Sequence, residues 1–534
     1  MRRPVSLPPR PAHLCPVVRR NHRKNLQAHR IEPPMKKSGG IKLWMPAAGF
    51  MILFVILLAV RLDLPARLFH QKALSSLMIP AEVPDRQSWK NILLNDEKIG
   101  YSHSALTRKE DGYRLEESIF MRINIMGTAQ DLRMRTSADL NPDFSIAAFD
   151  FNLGSGIFSF QAAGRMKNKR ILEVETISAD TRNRFEIPLD HRPFLTAGLI
   201  YAVAREPDFS ETSAPLTFHI FDPASMSQQP VVIRVEGKET IPSMAEQMET
   251  TRLALTYKGV AQTAWIDDKG DIIREKGLLG LTLEKTTKSL ATADLPAGLT
   301  EDLTRLASVS GNGVIADPRN TRYLKARISG MALDNLDIQG GRQSLEDDIL
   351  TITAEKISDA ATLSPALSPA LLPDEVAAFL SPEPFIQSDD QRVIAAAASI
   401  AAPDAHPADN ARALVKWVFE TIEKRPVFSV PDAVAVLLNR VGDCNEHAVL
   451  LAALARAAGI PAKIEAGLVY LDGRFYYHAW NLLYVGEWIS ADATFGQMPA
   501  DATHIRLVSG SPGDQLDLLG VIDNIVLRII ETDY

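Results

Sequence analysis

Three side chains near the C-terminus of this 534-residue chain have the types and the order of a thiol-dependent catalytic site. The chain contains two cysteines, and the second of them, Cys444, lies in the run 441–448, VGDCNEHA. His478 and Asp492 follow it in the sequence. A thiol, an imidazole and a carboxylate that converge can form a Cys-His-Asp site, in which the histidine accepts the thiol proton and the acid orients the histidine. We therefore take Cys444, His478 and Asp492 as candidate catalytic residues.

The residues around Cys444 predict the start of a helix. Asp443 and Glu446 have the spacing of an N-capping pair, which puts Cys444 in the first helical position of a helix that ends before Gly459. The sulfur then lies beside unpaired backbone N–H groups and the positive end of the helix dipole, and both favour a thiolate. Because the two acids oppose this effect, a nearby protonated histidine is also needed. The backbone N–H of Cys444 is a candidate oxyanion donor.

His478 and Asp492 are predicted to lie on the two strands of a hairpin. The segments on either side of residues 485–487 are rich in aromatic and aliphatic residues. The two positions are symmetric about residue 485, so a three-residue loop with Gly486 in the left-handed conformation would place them directly opposite each other. The carboxylate could then fix the tautomer of the imidazole while the other ring nitrogen faces the thiol.

A zinc site formed by His447 with His478 and Asp492 is the competing interpretation. Structural zinc sites usually show paired Cys or His ligands at close spacing, and this chain lacks such pairs. We therefore expect neither a metal nor another cofactor. His447 is expected to pack near the helix start, and His504 is interpreted as a structural residue.

The N-terminal part of the chain predicts a membrane anchor. Residues 1–42 carry a net charge of +10, which leaves −17 for the remainder of a chain whose total is −7. Residues 43–60 contain no charge and are long enough for a marginal transmembrane helix. The positive-inside rule places the N-terminus in the cytoplasm and the body of the protein on the periplasmic side of the inner membrane. A cleaved signal peptide is the alternative, and the acidic body argues against a nucleic-acid partner.

The remaining sequence suggests four further regions. We expect a stalk at 61–85, a β-rich region of one or two domains at 86–356, a linker at 357–390 and a C-terminal α+β domain at 391–534. Within 86–356, apolar residues alternate with period two between turn signals, which is typical of an antiparallel meander. Residues 264–274 predict two strands across an Asp/Gly turn, and 193–205 predict a short helix. The expected fold class is α+β, preceded by a transmembrane helix.

The C-terminal residues resemble the transglutaminase-like superfamily, a circularly rearranged relative of papain-type cysteine proteases. The resemblance covers roughly 391–510 and rests on the runs 442–448 (GDCNEHA), 456–462 (RAAGIPA), 478–480 (HAW) and 492–494 (DAT). It implies Cys444 as nucleophile, His478 as general base and acid, and Asp492 as the orienting residue. The chain departs from the family pattern at Asn481 and at Ala493, where many members have proline, and neither departure touches the triad.

The reaction that this resemblance implies is attack of the thiolate on a carboxamide or peptide carbonyl to give a thioester. Water then releases an acid, or an amine captures the acyl group. We favour hydrolysis of a peptide or protein substrate, because water is plentiful outside the cytoplasmic membrane and no dedicated amine site is evident. The alternative is a catalytically silent module of the same fold that binds peptide or envelope polymer. The oligomeric state stays open.

Overall fold

The computed structural model describes residues 84–534 except 126, 157, 179–180, 204–213, 245, 258–259, 296–301, 331–332, 334–335, 358–371, 428, 511–521 and 523–524. The predicted basic tail, the transmembrane helix at 43–60 and nearly all of the stalk lie outside the described residues, as does much of the linker. Among the helices of the described ranges, none combines the length and the apolar character needed to cross a membrane.

The described residues are mostly β-structure, so the expected α+β class is wrong for the chain as a whole. Strands hold 53% of these residues and helices 19%. The cause is that the alternating segments between residues 86 and 286 all join one sheet of fifteen strands, which outweighs the helices of the C-terminal region. The domain boundaries given above stay predictions.

The large sheet consists of two meanders joined side by side, and its pairs are antiparallel except that the edge strand Pro193–Phe194 runs parallel to its neighbour. Neighbours in the sheet are consecutive in the chain except at the seam, where the first strand pairs with the fifteenth through Trp89 opposite Thr286. The strands of the first meander are β1 (Arg86–Leu94), β2 (Glu97–Lys109), β3 (Gly112–Ile125), β4 (Thr128–Leu140), β5 (Ile146–Ser155), β6 (Phe158–Met166), β7 (Ile171–Ser178) and β8 (Thr181–Pro188). Those of the second are β9 (Pro193–Phe194), β10 (Leu216–Asp222), β11 (Ser227–Ser243), β12 (Glu246–Tyr257), β13 (Val260–Ile266), β14 (Ile272–Lys276) and β15 (Leu281–Thr286).

The period-two pattern of the sequence places one face of this sheet in a core. In β5, Phe149, Phe151 and Leu153 are buried while Asp150 and Asn152 between them are exposed. The predicted short helix is α1 (Thr196–Val203), and the predicted Asp/Gly turn joins β13 to β14.

The C-terminal region is built on three smaller sheets. The end of the predicted β-rich region pairs with the end of the chain and does not join the large sheet, because β17 (Tyr323–Ser329) lies between β19 (Ile349–Thr353) and β26 (Val526–Asp533). The five-stranded sheet has the order β16-β23-β22-β25, with β24 also paired to β23, and β20 and β21 form a parallel pair. The strands are β16 (Ser308–Ser310), β17 (Tyr323–Ser329), β18 (Gln343–Glu346), β19 (Ile349–Thr353), β20 (Glu423–Lys424), β21 (Val441–Gly442), β22 (Ala462–Leu471), β23 (Arg474–Tyr484), β24 (Trp488–Ala491), β25 (Ile505–Gly510) and β26 (Val526–Asp533).

Three helices of the C-terminal region, α5, α6 and α7, pack against one central helix, α8 (Cys444–Ala457). Its residues Leu450, Leu451 and Leu454 are fully buried and pack against the five-stranded sheet, in a core shared with Ile464 and Leu483. The helices are α2 (Lys288–Ala291), α3 (Leu303–Leu306), α4 (Asp374–Ala377), α5 (Gln391–Ile400), α6 (Pro407–Thr421), α7 (Ala433–Asn439) and α8 (Cys444–Ala457), with 3-10 turns at Leu278–Gly280, Pro318–Asn320 and Ala378–Leu380. As predicted, Gly459 follows α8 with a positive φ of 79°.

Candidate active site

Cys444 is the first residue of α8, as predicted, and a reciprocal cap fixes the helix start there. The Asp443 side chain accepts a hydrogen bond from the Asn445 N–H at 2.9 Å, and Glu446 Oε2 accepts one from the Asp443 N–H at 2.9 Å. Glu446 is buried and also accepts from Ser429 Oγ at 2.5 Å. A Cβ at residue 442 would lie only 2.3 Å from the Glu446 Cβ, so glycine is required before the cap.

The thiol of Cys444 lies against an open stretch of the β23 edge. Strand β16 covers residues 474–476 of this edge and β24 covers 481–484, which leaves 477–480 between them. The backbone N–H of Ala479 lies close enough to the Cys444 sulfur in this gap to lower the pKa of the thiol. Tyr477 Oη donates to Asn445 Oδ1 at 2.8 Å, which also ties α8 to the same stretch. The nucleophile candidate therefore contacts the strand residue that directly follows His478.

The environment of the thiol favours its protonated form. Burial and the Asp443 carboxylate raise the pKa of Cys444 well above its usual value, and the Ala479 N–H opposes them. The position at a helix N-terminus alone therefore does not produce a thiolate. For the sulfur to act as a nucleophile, a neighbouring base has to take its proton.

His478 and Asp492 are brought together, although the predicted register is wrong. The loop has three residues, 485–487, with Gly486 at a φ of 107°, as expected. Because Tyr484 pairs with Trp488, however, the hairpin is centred on residue 486 instead of 485. Asp492 therefore follows the end of β24 on the same face as His478 and reaches it diagonally, with His478 Nε2 2.8 Å from Asp492 Oδ2.

The Asp492 carboxylate is fully buried and accepts four hydrogen bonds. Its Oδ1 accepts from the backbone N–H groups of Thr494 at 2.7 Å and Phe495 at 3.1 Å, and its Oδ2 accepts from His478 and from His504 Nε2 at 2.9 Å. Burial would raise the pKa of this carboxyl, but the two imidazoles hold the pKa well below its usual range. Asp492 is therefore a fixed anion.

Residues 394–493, which contain all three candidates, match the family model described as the transglutaminase-like superfamily. This region is a transglutaminase-like domain. No curated protein matches the chain. Among solved structures, the chain is similar to a proposed cysteine protease from Cytophaga hutchinsonii, at 15% identity over 40% of this chain and 87% of that one, with a TM-score of 0.26.

The chain is also similar to parts of two further solved structures. The periplasmic domain of TgpA from Pseudomonas aeruginosa is 18% identical over 38% of this chain and 95% of that one, with a TM-score of 0.24. A protein of a domain of unknown function from Brucella abortus is 10% identical over 39% of this chain and 96% of that one, with a TM-score of 0.31. The assignment of the transglutaminase-like domain depends on the family match.

His504 lies just beyond the family match, and its place in the site was missed by the sequence analysis. Its side chain is fully buried next to β25, where Nε2 contacts Asp492 and Nδ1 lies 3.2 Å from both Oδ1 and the backbone oxygen of Asp501. Burial lowers the pKa of His504, but Asp501 and Asp492 outweigh it and raise the pKa to about 9. Nothing in the run THIR around this residue distinguishes it from a packing histidine, because its partners are set by the tertiary fold.

Phe495 and Arg319 complete the surroundings of His478 in the transglutaminase-like domain. The Phe495 ring stacks on the imidazole with centroids 4.9 Å apart and an interplanar angle of 19°. The Arg319 guanidinium lies 3.6 Å from the centroid of the Phe495 ring, and its Nη1 contacts Asp501 Oδ2 at 2.9 Å. Arg319 comes from the 3-10 turn before β17, so a segment far upstream in the chain supports the site.

His447 does not join His478 and Asp492. Its Nδ1 lies 2.6 Å from the backbone oxygen of Asp443, which places it at the helix start as expected. Among the residues that the structure describes, three potential metal ligands that do converge are His478, Asp492 and His504, whose ligand atoms lie within 4.8 Å of one another. Both histidines approach the same carboxylate oxygen at hydrogen-bond distance, and all three side chains are buried. This geometry is that of a hydrogen-bonded network.

Proposed function

We propose that the transglutaminase-like domain is a cysteine hydrolase that cleaves an amide or peptide bond through a thioester at Cys444. The observation that carries the proposal is the 2.8 Å contact between His478 Nε2 and the ionised Asp492, on a strand whose next residue lies close to the Cys444 sulfur. Because Nε2 of His478 is hydrogen-bonded to Asp492, Nδ1 is the ring atom that would accept a proton from the sulfur.

The first half-reaction would form the thioester. The Cys444 sulfur attacks the substrate carbonyl carbon while its proton passes to His478 Nδ1, which gives a tetrahedral intermediate and an imidazolium. Cys444 is the first residue of α8, so its backbone N–H has no intrahelical acceptor and can donate to the oxyanion. The C–N bond then breaks, and the leaving amine takes the proton from His478.

The second half-reaction would regenerate the thiol. His478 Nδ1 takes a proton from water as the water oxygen attacks the thioester carbonyl. Collapse of the second tetrahedral intermediate breaks the C–S bond, and the proton returns to sulfur. An amine in place of water would give acyl transfer through the same steps. We propose hydrolysis of a peptide or protein, and the location of the domain outside the cytoplasmic membrane stays a prediction.

The second candidate function is a non-catalytic module that binds peptide or envelope polymer. The raised pKa of the Cys444 thiol favours this candidate, because a neutral and partly buried cysteine behaves as a small apolar group. The two functions differ in whether His478 activates the sulfur.

The test uses the full chain and an electrophilic probe. Iodoacetamide and a peptide vinyl sulfone are added near neutral pH, and modification of Cys444 is followed by peptide mass spectrometry, which separates it from Cys15. For the hydrolase we expect rapid modification in the wild type, strong slowing in His478→Ala and no effect in His219→Gln, a control in the large sheet. Equal rates in the wild type and His478→Ala would exclude the hydrolase and leave the binding module.

A second arm separates hydrolysis from transfer. Casein is incubated with the wild type and with Cys444→Ala, in the presence and absence of a dansylated primary amine. New peptide termini that depend on Cys444 support hydrolysis. Incorporation of the dansyl group without new termini would instead assign amine transfer.

A further inference from the structure

His478 and five other side chains form a closed circuit that extends beyond the transglutaminase-like domain. Starting from His478, the hydrogen-bonded contacts run through Asp492, His504 and Asp501 to Arg319. From Arg319 the circuit returns through its guanidinium on the Phe495 ring and through the stacking of that ring on His478. Both the edge and the face of the His478 ring are thus held by one network.

His504 lies in this circuit with a carboxylate at each ring nitrogen. Nε2 lies 2.9 Å from Asp492 Oδ2, and Nδ1 lies 3.2 Å from Asp501 Oδ1. An ionised carboxylate only accepts hydrogen bonds, so a ring nitrogen without a proton would face its oxygen lone pair to lone pair. Only the imidazole with both nitrogens protonated donates to both sides.

The two carboxylates are held as anions by other groups. Asp492 accepts two backbone N–H groups on its Oδ1, and Asp501 Oδ1 accepts from the N–H of Thr503 at 2.9 Å. Arg319 Nη1 contacts Asp501 Oδ2. Although burial opposes it, His504 and its hydrogen bonds hold the pKa of the Asp501 carboxyl well below its usual range. The extra proton of the circuit therefore resides on His504.

We propose that His504 is a positioning residue for catalysis, a buried imidazolium that aims the Asp492 carboxylate at His478. This inference rests on the proposed function and adds a fourth residue to the predicted three. Trp480 packs edge-on against the His504 ring, with centroids 5.2 Å apart, and its Nε1 is anchored on Glu465 at 2.9 Å. These contacts, together with Asp492 and Asp501, fix the position of the His504 ring.

The positive charge of His504 should change the pH dependence of the reaction at Cys444, which a residue that only packs would not do. The titratable or charged groups around the ring are His478, Asp492, Asp501 and, behind Asp501, Arg319. Replacing His504 with neutral glutamine leaves the two carboxylates with one positive charge fewer between them. The more negative surroundings raise the pKa of the Cys444 thiol still further. The rise of the alkylation rate with pH then moves to higher pH.

The first measurement is made on the wild-type full chain labelled with ¹⁵N-histidine. We expect two imidazole N–H signals from His504, identified as those missing in His504→Gln, and both should persist in slow exchange from pH 6 to pH 8 because the side chain is buried. A His504 that carries one proton at pH 7 would overturn the proposal.

The second measurement is the rate of Cys444 alkylation by iodoacetamide as a function of pH. A displaced catalytic geometry costs about 100-fold for a shift near 1 Å, so we expect His504→Gln to be roughly 10- to 100-fold slower. We also expect the alkylation rate of His504→Gln to rise with pH at a higher pH than that of the wild type, while His219→Gln matches the wild type. If His504→Gln does not fold, the measurement is made on Arg319→Gln, which removes the contacts of Arg319 with Asp501 and Phe495. We expect Cys444 of this variant also to be alkylated more slowly than that of the wild type.

The outcomes separate the two proposals. A wild type that reacts no faster than His478→Ala would refute the proposed hydrolase, while the ¹⁵N signals would still report the protonation of His504. If the wild type is reactive and His504→Gln is alkylated at the same rate with the same pH dependence, the role of His504 alone would be refuted.

Discussion

Replacing Asp492 with asparagine tests the arrangement of the site most directly. The wild-type carboxylate accepts from Thr494 and Phe495 on one oxygen and from His478 and His504 on the other. Asparagine has one carbonyl oxygen, and its amide nitrogen cannot accept. If the oxygen stays with the two backbone N–H groups, the amide donates toward both imidazoles.

The expected loss of activity follows from the tautomer of His478. To accept from the new amide, His478 has to carry its proton on Nδ1, the atom that must receive the thiol proton. The same replacement in a Ser-His-Asp hydrolase costs about 10⁴-fold through the wrong tautomer. We therefore expect thioester formation by Asp492→Asn to fall roughly 10³- to 10⁴-fold. Because His504 loses one of its two carboxylate partners, we also expect a loss of stability of about 3–5 kcal/mol, as for a broken buried ion pair.

The assay is single-turnover modification of Cys444 by a vinyl sulfone, with thermal unfolding measured on the same samples. Asp472→Asn is the matched control, since Asp472 is exposed in the turn between β22 and β23 at a φ of 47° that asparagine tolerates. An Asp492→Asn protein that is folded and modified at the wild-type rate would show that the His478–Asp492 contact does not activate the sulfur.

Two further predictions concern stability. The folded pKa of His504 is raised to about 9, above the value of about 6.5 for the unfolded chain. The folded state therefore binds the extra proton, and its contribution to stability is complete below about pH 6.5 and is lost as the pH rises through 9. In urea unfolding between pH 6.5 and 9.5, the wild type should lose stability more steeply than His504→Gln, and parallel curves would contradict the assignment. At the start of α8, Gly442→Ala puts a Cβ 2.3 Å from the Glu446 Cβ, so we expect a destabilisation of about 1–3 kcal/mol from overpacking. Gly313→Ala, whose Cβ would meet nothing within 4 Å, is the control, and equal unfolding midpoints for the two variants would refute the steric argument.

The parts of the site that could be predicted from the sequence depend on neighbours in the chain. The cap of α8 needs only Asp443 and Glu446, three residues apart, and the turn of the hairpin needs only a glycine at residue 486. Both features are present. The register of the hairpin is not determined by neighbouring residues in this way, because a shift of the loop by one residue moves the centre of the hairpin without changing its composition. His478 and Asp492 still meet, since the shift keeps both side chains on one face.

The parts that could not be predicted depend on contacts between distant segments. Arg319 reaches Asp501 and Phe495 from the turn before β17, and no local pattern links these positions. The alternation between residues 86 and 286 identifies strands, but it does not determine that they join in one sheet through the pairing of β1 with β15. The predicted α+β class was wrong for the same reason, because the strands between residues 86 and 286 together outweigh the C-terminal helices.

The pairing of β26 with β17 determines where the chain could be divided. The last strand takes its hydrogen-bonding partner from Tyr323–Ser329, and the side chains of Leu324, Ile328, Leu350 and Ile352 on β17 and β19 are fully buried in the same core as α8. A fragment that starts at residue 391 would lack these four side chains. Removing a large buried aliphatic side chain costs about 2–5 kcal/mol, so the combined loss is similar to the whole stability of an ordinary domain, about 5–15 kcal/mol. The smallest fragment that can fold by itself therefore has to include β17 and begin at Tyr323 or earlier.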